Sequence, residues 1–279
     1  MQNTLKLLIK SHKFLTGFFL LGIILIFMLF YPFLMNRNNP LDMVGTCFEA
    51  PSFEHILGTD NFGRDVLLEL TYGVRSSLYV GLITGLVATF IGLILGLTSG
   101  YIGGLVDNII MTITNIFIVI PSFIVLILIS VSISSKSLII IALIIAFTSW
   151  PWTARGIRSQ TISLRNREHV NIAKISGYST LNIIVLEIFP YIASYIMMAF
   201  ILQISSGILS EAAISMLGLG PQNTITLGIM LNWAILFEAP AAGAWWTFLP
   251  PTILITTVVS SLFFMNVGMD EIFNPKIRS

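Results

Sequence analysis

The sequence predicts an all-α integral membrane protein of about six transmembrane helices. Of its 279 residues, 56% are hydrophobic, and mean hydropathy is +0.92. Only 10% are charged, against about 25% in an ordinary soluble domain, so hydrocarbon rather than water has to surround much of the surface. The apolar residues also gather into runs near the roughly 20 that a helix needs to cross a bilayer core, where every backbone polar group must bond within its own segment. Several functions are excluded by the same composition. No basic stripe with interleaved aromatics points to nucleic acid. The single cysteine, Cys47, excludes an internal disulfide framework, and His12, His55 and His169 are too far apart in sequence to predict a metal site.

The first run, 14–33, follows Lys6, Lys10 and Lys13 in the manner of a signal peptide. It is long for one and ends in Tyr31, Pro32 and Phe33 without a small-residue cleavage pattern, so an uncleaved anchor is expected. The second run, 78–99, with Gly100 just beyond it, places Gly81, Gly85, Gly92, Gly96 and Gly100 within a sector of about 100° at 3.6 residues per turn. Small residues on one face let another backbone approach closely where no hydrophobic effect drives association. The remaining runs are 109–133, 138–152, 189–209 and 248–267. The fourth is short and extends past Pro151 only with a kink. The fifth is closed by Glu211, near the expected outer boundary.

Lysine and arginine set the orientation. A cytoplasmic N-terminus puts Lys6, Lys10, Lys13, Arg155, Arg158, Arg165, Arg167, Lys174, Lys276 and Arg278 inside, and only Arg37, Arg64, Arg75 and Lys136 outside. Both termini are then cytoplasmic. The segment between the first two runs is acidic, with Asp42, Glu49, Glu54, Asp60, Asp65 and Glu69. A second outer segment, 211–247, has no lysine or arginine, and its Trp245 and Trp246 fit an aromatic belt.

Residues 155–186 form the only long polar stretch on the inner side. Ile172, Ile175 and Tyr178 follow helical spacing, and Gly177 is placed to stop a helix. Leu181, Ile184, Val185 and Ile188 start a new apolar face. The pattern predicts a short amphipathic helix, a glycine turn, and a second helix entering the membrane. Such an element lies on the membrane surface or docks into a partner's groove.

Asn171, Ile172, Ala173, Gly177, Glu187, Ile188, Phe189 and Pro190 resemble the Glu-Ala-Ala loop of ABC importer permeases. The second alanine and the glycine-to-proline spacing are kept. Asn171 stands where the family has its leading glutamate, and Glu168 lies one turn earlier. His55-Ile-Leu-Gly-Thr-Asp-Asn-Phe-Gly-Arg-Asp-Val66, Tyr72-Gly-Val-Arg-Ser-Ser-Leu78, Leu209-Ser-Glu-Ala-Ala-Ile-Ser-Met-Leu-Gly-Leu-Gly-Pro221 and Asn274-Pro275 are similar to the C-type permeases of the dipeptide/oligopeptide/nickel family.

That resemblance implies a type I importer permease fold. Residues 1–77 would form the anchor helix and an extracytoplasmic segment, and 78–279 a five-helix core with a coupling loop at 155–188. Glu168, Asn171, Ile172, Ala173, Lys174, Ser176 and Gly177 would couple to an ATPase subunit. The implied partners are a second homologous permease, two ATP-binding subunits carrying ATP and Mg, an extracytoplasmic binding protein, and the lipid of the cell membrane. Short peptides are the first substrate expectation; nickel or metal chelates and oligosaccharides are alternatives within the same machinery. A secondary transporter is the alternative from another class, but no internal repeat of the kind such proteins carry is evident.

The chain itself has no Gly-x-x-x-x-Gly-Lys-Ser/Thr loop to cradle phosphates, and Gly218 to Gly220 lacks the strand-to-helix context. No cofactor and no catalytic residue are therefore expected within it. Asn115, Gln203 and Glu211 are the polar candidates for a translocation path or gate, each with a structural hydrogen-bonding role as the competing reading. Arg64, Asp65 and Arg75 are expected to organise the segment before the second span.

Overall fold

The computed structural model describes residues 11–34, 39–133, 136–221 and 224–273. Lys6, Lys10, Arg37, Asn274, Pro275, Lys276 and Arg278 lie outside the described residues. Among the described residues there are only helices, connecting segments and two isolated β-bridges, Met43 with Arg64 and Thr59 with Asp65.

In chain order the helices are α1 (His12–Leu34), α2 (Val66–Ile102), α3 (Gly104–Val119), α4 (Ser122–Ser132), α5 (Leu138–Arg165), α6 (Glu168–Ile175), α7 (Thr180–Asn182), α8 (Phe189–Met216), α9 (Leu227–Leu236) and α10 (Leu249–Phe273). A π-helical turn, Ile183–Ile188, joins α7 to α8. Five helices are long and apolar enough to cross a bilayer, six if the bent pair α3–α4 counts as one span. The expected six runs are therefore present, with four changes of outline.

The second helix begins at Val66, so Leu78 lies well inside it. Asp65 caps it, its Oδ1 accepting from the Leu68 N–H at 2.9 Å, an arrangement worth about 0.5–2 kcal/mol. The third run is not one helix. It bends by 83° between α3 and α4, because Pro121 has no N–H to continue the ladder and forces Ile120 into an extended conformation. The fourth helix does continue past Pro151, to Arg165. Helix α8 runs on to Met216, which places Glu211 within the helix rather than at its close.

The glycine face of α2 divides between two neighbours. A β-carbon at Gly92 or Gly100 would lie 2.7 Å from Thr153 Cβ or Thr161 Cβ of α5, and one at Gly96 2.7 Å from the Ala154 carbonyl oxygen. At Gly81 and Gly85 the neighbours are Ile204 and Ile208 of α8. Close backbone approach along the whole length of α2 makes it the central post of the bundle. Helix α1 packs antiparallel against α10, with a Lys13–Glu271 ion pair at one end. The Arg75 guanidinium donates to the Met28 carbonyl at 2.7 Å, tying α1 to α2.

The segment from Asn39 to Asp65 sits at the N-terminal end of α2. Asp60 Oδ1 accepts from the Phe62 and Arg64 N–H groups, each at 2.8 Å. Burial pushes the Asp60 carboxyl above the usual carboxylate range, opposed by those two N–H groups and the Arg64 charge. His55 Nδ1 lies 3.1 Å from Asp65 Oδ2. The Arg64 guanidinium stacks over Phe62 and Trp233. Trp246 departs from the belt expectation: it is buried, and its indole N–H donates to the Thr59 carbonyl at 3.0 Å. Trp245 alone of the pair is exposed.

Candidate functional site: a neutral cavity and a protruding turn

Three places in the bundle carry the polar and exposed groups that the sequence singled out. The first lies at the N-terminal end of α2. Glu211 is 0% exposed. Its Oε1 accepts from Ser215 and Thr226 hydroxyls, each at 2.6 Å, and its Oε2 from the Ser77 hydroxyl at 3.1 Å. Ser77 Oγ in turn accepts from the Leu227 N–H at 3.2 Å. The carboxyl therefore joins α2, α8 and the N-terminus of α9, where the helix dipole favours negative charge. All three hydroxyls donate to it, and one of them, on Ser215, belongs to a residue that also lines a cavity of ≈ 420 Å³ beside α9. These bonds tie the three helices together at one carboxyl. The short helix α9 folds back within a segment that hydropathy had left as an external loop.

The second place is a cavity of ≈ 620 Å³ bounded by α3, α4, α5 and α8. Its floor is the α3–α4 bend, with Phe117, Ile118, Ile120, Pro121 and Ser122. Thr148, Ser149, Pro151, Trp152 and Thr153 line it from α5; Tyr195, Met198, Ala199, Leu202, Gln203 and Ser206 line it from α8. Every lining side chain is neutral, and seven carry a hydroxyl or amide. Gln203 belongs to this wall and also joins α8 to α5. Its Nε2 donates to the Ser149 carbonyl at 3.0 Å and the Thr153 hydroxyl at 2.8 Å. Asn115 does not line it; its Oδ1 accepts from the Arg155 guanidinium at 2.7 Å. Below the cavity, Arg158 holds Asp107 through two hydrogen bonds of 2.6 Å, and the Ser99 hydroxyl donates to the same carboxylate at 2.5 Å. The sequence reading missed the bend and therefore the cavity floor; its signal was the Ile-Pro-Ser step at 120–122.

The third place is the far end of α2, where α6 and α7 protrude. Gly177 has φ +80°, its N–H bonds to the Lys174 carbonyl at 3.1 Å, and the Tyr178 N–H reaches back to the Ala173 carbonyl at 3.1 Å. The paired bonds close α6 in a Schellman turn, which requires the left-handed conformation that glycine adopts at no steric cost. Ile172, Ile175 and Tyr178 point outward, Ile175 at 87% exposure, whereas Val170 and Ala173 are the buried residues. They pack with Leu97, Ile157, Ile183, Ile188 and Ile192. After the turn Leu181 and Val185 are exposed and Ile183 and Ile188 buried, and the π-helical turn Ile183–Ile188 alters the helical register there. Glu168, Asn171, Lys174, Ser176 and Gly177 are exposed. Lys174 Nζ donates to the Arg165 carbonyl at 3.0 Å, fastening α6 beneath the end of α5. Of the sequence-selected residues here, only Ala173 is turned inward.

Among the described residues, no group of three or more His, Cys, Asp or Glu side chains is arranged to hold a metal ion.

Comparison with known proteins adds two findings. Residues 88–279 match the family described as "binding-protein-dependent transport system inner membrane component". The chain is 30% identical over 279 residues to the dipeptide transport system permease protein DppC of Bacillus subtilis, covering 99% of this chain and 86% of that protein. It is 32% identical over 271 residues to the oligopeptide transport system permease protein OppC of Lactococcus lactis, covering 96% and 90%. Against OppC of Mycobacterium tuberculosis the figure is 29% over 250 residues, covering 89% and 84%.

Proposed function

Because the chain belongs to the binding-protein-dependent transport system inner membrane components, we propose that it is a permease subunit of an ATP-driven importer of di- or oligopeptides. The full-length likeness to dipeptide and oligopeptide permeases supports the substrate class. The mechanism rests on one observation: an exposed apolar ridge, Ile172, Ile175 and Tyr178, on a protrusion fastened to both α5 and α8. Apolar side chains at that density on the outside of a polar segment call for a groove in another protein.

In this reading the groove belongs to an ATPase subunit, one of two, and a second homologous permease closes the open side of the neutral cavity. An extracytoplasmic binding protein delivers peptide at the opposite end. ATP-driven closure of the ATPase pair displaces α6; α5, which leads directly into it, carries that motion to the cavity wall at Pro151. The exposed Glu168 at the first turn of α6 supplies the acidic contact that Asn171 does not. ATP and Mg reside on the partners.

The decisive experiment is uptake by vesicles holding the complete complex. ATP inside should drive peptide accumulation, and an imposed proton or sodium gradient without ATP should not; the reverse pattern would make the protein a secondary transporter. Cysteines at Ile172 or Ser176 should crosslink to the ATPase subunit, whereas one at the buried Ala173 should not. Orientation has its own test in the exposed Cys47. With both termini cytoplasmic, an impermeant thiol reagent labels it in spheroplasts, and labelling only after permeabilisation would reverse the topology.

A further inference from the structure

The ≈ 420 Å³ cavity beside α9 lies where the 39–65 segment meets the end of α8, and Arg64, Thr224, Asn232 and Trp233 are on its wall. Arg64 is the one charged residue among its described lining residues. Its guanidinium is held over the Phe62 and Trp233 rings, 4.3 and 5.0 Å from their centroids. None of its side-chain nitrogens donates a hydrogen bond to a described residue. Nε and Nη1 are enclosed, and Nη1 comes no nearer to Glu69 Oε1 than 3.7 Å, beyond hydrogen-bond reach. Nη2 has no acceptor either, but it is not enclosed, and it carries two N–H groups within a side chain that is 13% exposed. The Thr224 hydroxyl on the same wall is likewise open and without a partner among the described residues. A guanidinium keeps its charge at every physiological pH, and a charged donor held away from bulk water is costly to leave unbonded. Its natural acceptor is a carboxylate.

From these features we infer that Arg64 Nη2, assisted by the Thr224 hydroxyl, binds the C-terminal carboxylate of the peptide at the outer end of the bundle. The inference rests on the peptide-import reading above and adds to it a site and its two donors. Every unmodified peptide ends in one such carboxylate, so a single cation among neutral neighbours recognises the class without reading side chains. The guanidinium is recessed, and the end of an extended chain reaches a recessed group more readily than a short acidic side chain on a folded surface. The enclosed edge of Arg64 holds the 39–65 segment against α9; the open edge meets the solute.

The test uses the complete complex in proteoliposomes, with alanine peptides of two to five residues as free acids and as C-terminal amides. Uptake is measured at saturating peptide, with the affinity of each form for the binding protein determined separately. The wild-type complex should move the acids faster by about tenfold, the factor that one hydrogen bond to a charged group supplies. Arg64→Met should slow the acids alone and so bring the two rates together. Should Arg64→Met fail to assemble, Thr224→Val removes the second donor without touching the stacked guanidinium and should lower the preference by about threefold. Equal rates for acids and amides in the wild type, equal slowing of both in Arg64→Met, or an undiminished preference in either variant would overturn the inference while leaving peptide import standing. Equal wild-type rates together with weaker binding-protein docking in Arg64→Met would overturn it by placing the carboxylate on the binding protein. Absence of ATP-driven uptake of every alanine peptide by the wild-type complex would instead overturn the import reading, and this inference with it.

Discussion

At one end of α2 a glutamate is wholly buried and receives three hydroxyl hydrogens; at the other end Ile175 stands 87% exposed on a two-helix protrusion. In the first region several buried polar groups are paired within the chain: Glu211 with Ser77, Ser215 and Thr226, Asp65 with Leu68, Trp246 with Thr59. The second satisfies its backbone, through the Gly177 turn, but leaves apolar side chains uncovered. A buried polar network costs several kcal/mol when broken, and the bonds named here lie within one chain. An uncovered apolar ridge gains its stabilisation only when a second protein covers it. The two ends thus differ in where their interactions are completed, and that difference can be tested on a single scale of stability.

The largest effect belongs to the polar end. Glu211→Leu removes the acceptor of three buried hydroxyls and should destabilise the protein by about 3–5 kcal/mol, as when one partner of a buried charged network is lost. Thermal unfolding of the purified complex in detergent reads this, together with its assembly yield. Glu211→Gln keeps one acceptor and should lose less. Normal stability with selective loss of transport in Glu211→Gln would remove Glu211 from the structural role and make it a gate.

Gly177 occupies the middle of the scale. A β-carbon there meets nothing within 4 Å, so the penalty comes from the backbone alone, about 1–2 kcal/mol for a residue held in the left-handed region. Gly177→Val should insert normally, because the spans are unchanged, yet show weakened ATPase docking and transport-coupled hydrolysis. Full coupling in that variant would detach the turn from the proposed interface.

Ile175→Asp should leave stability within about 0.5 kcal/mol, as an exposed substitution does, while abolishing association with the ATPase subunit. The paired control is Val170→Asp, at a buried position, which should destabilise the fold itself. If Ile175→Asp assembled and transported normally, the ridge would be a lipid-surface feature and the contrast between the two ends would fail.

The smallest effect is one of pH. Asp60 is held above the usual carboxylate range by burial, so the folded state binds its proton more tightly than the unfolded chain does. Its contribution to stability therefore rises as pH falls through the raised value and declines above it. Resistance of the 39–65 segment to proteolysis should increase from neutral to mildly acidic pH, and Asp60→Asn should flatten that slope.

Much of this architecture was legible in the sequence. Hydropathy located the spans, the glycine face of α2 marked its close contacts, and Gly177 announced the end of α6. What escaped has identifiable causes. Hydropathy averages over Pro121, so it joined two helices that meet at 83°. Helix α9 is only ten residues long, too short to register as a span. The spacing of Ile172, Ile175 and Tyr178 marked one apolar face of α6 but not Val170 and Ala173, whose smaller side chains fit the close contact with Leu97, Ile157, Ile183, Ile188 and Ile192. The orientation of the Gln203 amide was beyond sequence altogether, since it depends on a carbonyl contributed by another helix.

Helix α5 has a mechanical consequence. It is unbroken from the cavity wall at Pro151 to Arg165, whose carbonyl is gripped by Lys174 of α6. Fourteen residues at 1.5 Å make an arm of about 21 Å, so a tilt of about 10° about Pro151 sweeps its tip by about 4 Å. Proline at the pivot removes one hydrogen bond from the ladder and so softens the bending there, and because Gly92, Gly96 and Gly100 of α2 lie in close contact with Thr153, Ala154 and Thr161, α2 has to move with the arm. In the proposed importer a nanometre-scale stroke at the ATPase would therefore be unnecessary: a displacement smaller than one helical turn would be enough, by leverage alone, to change the position of a cavity wall two nanometres away.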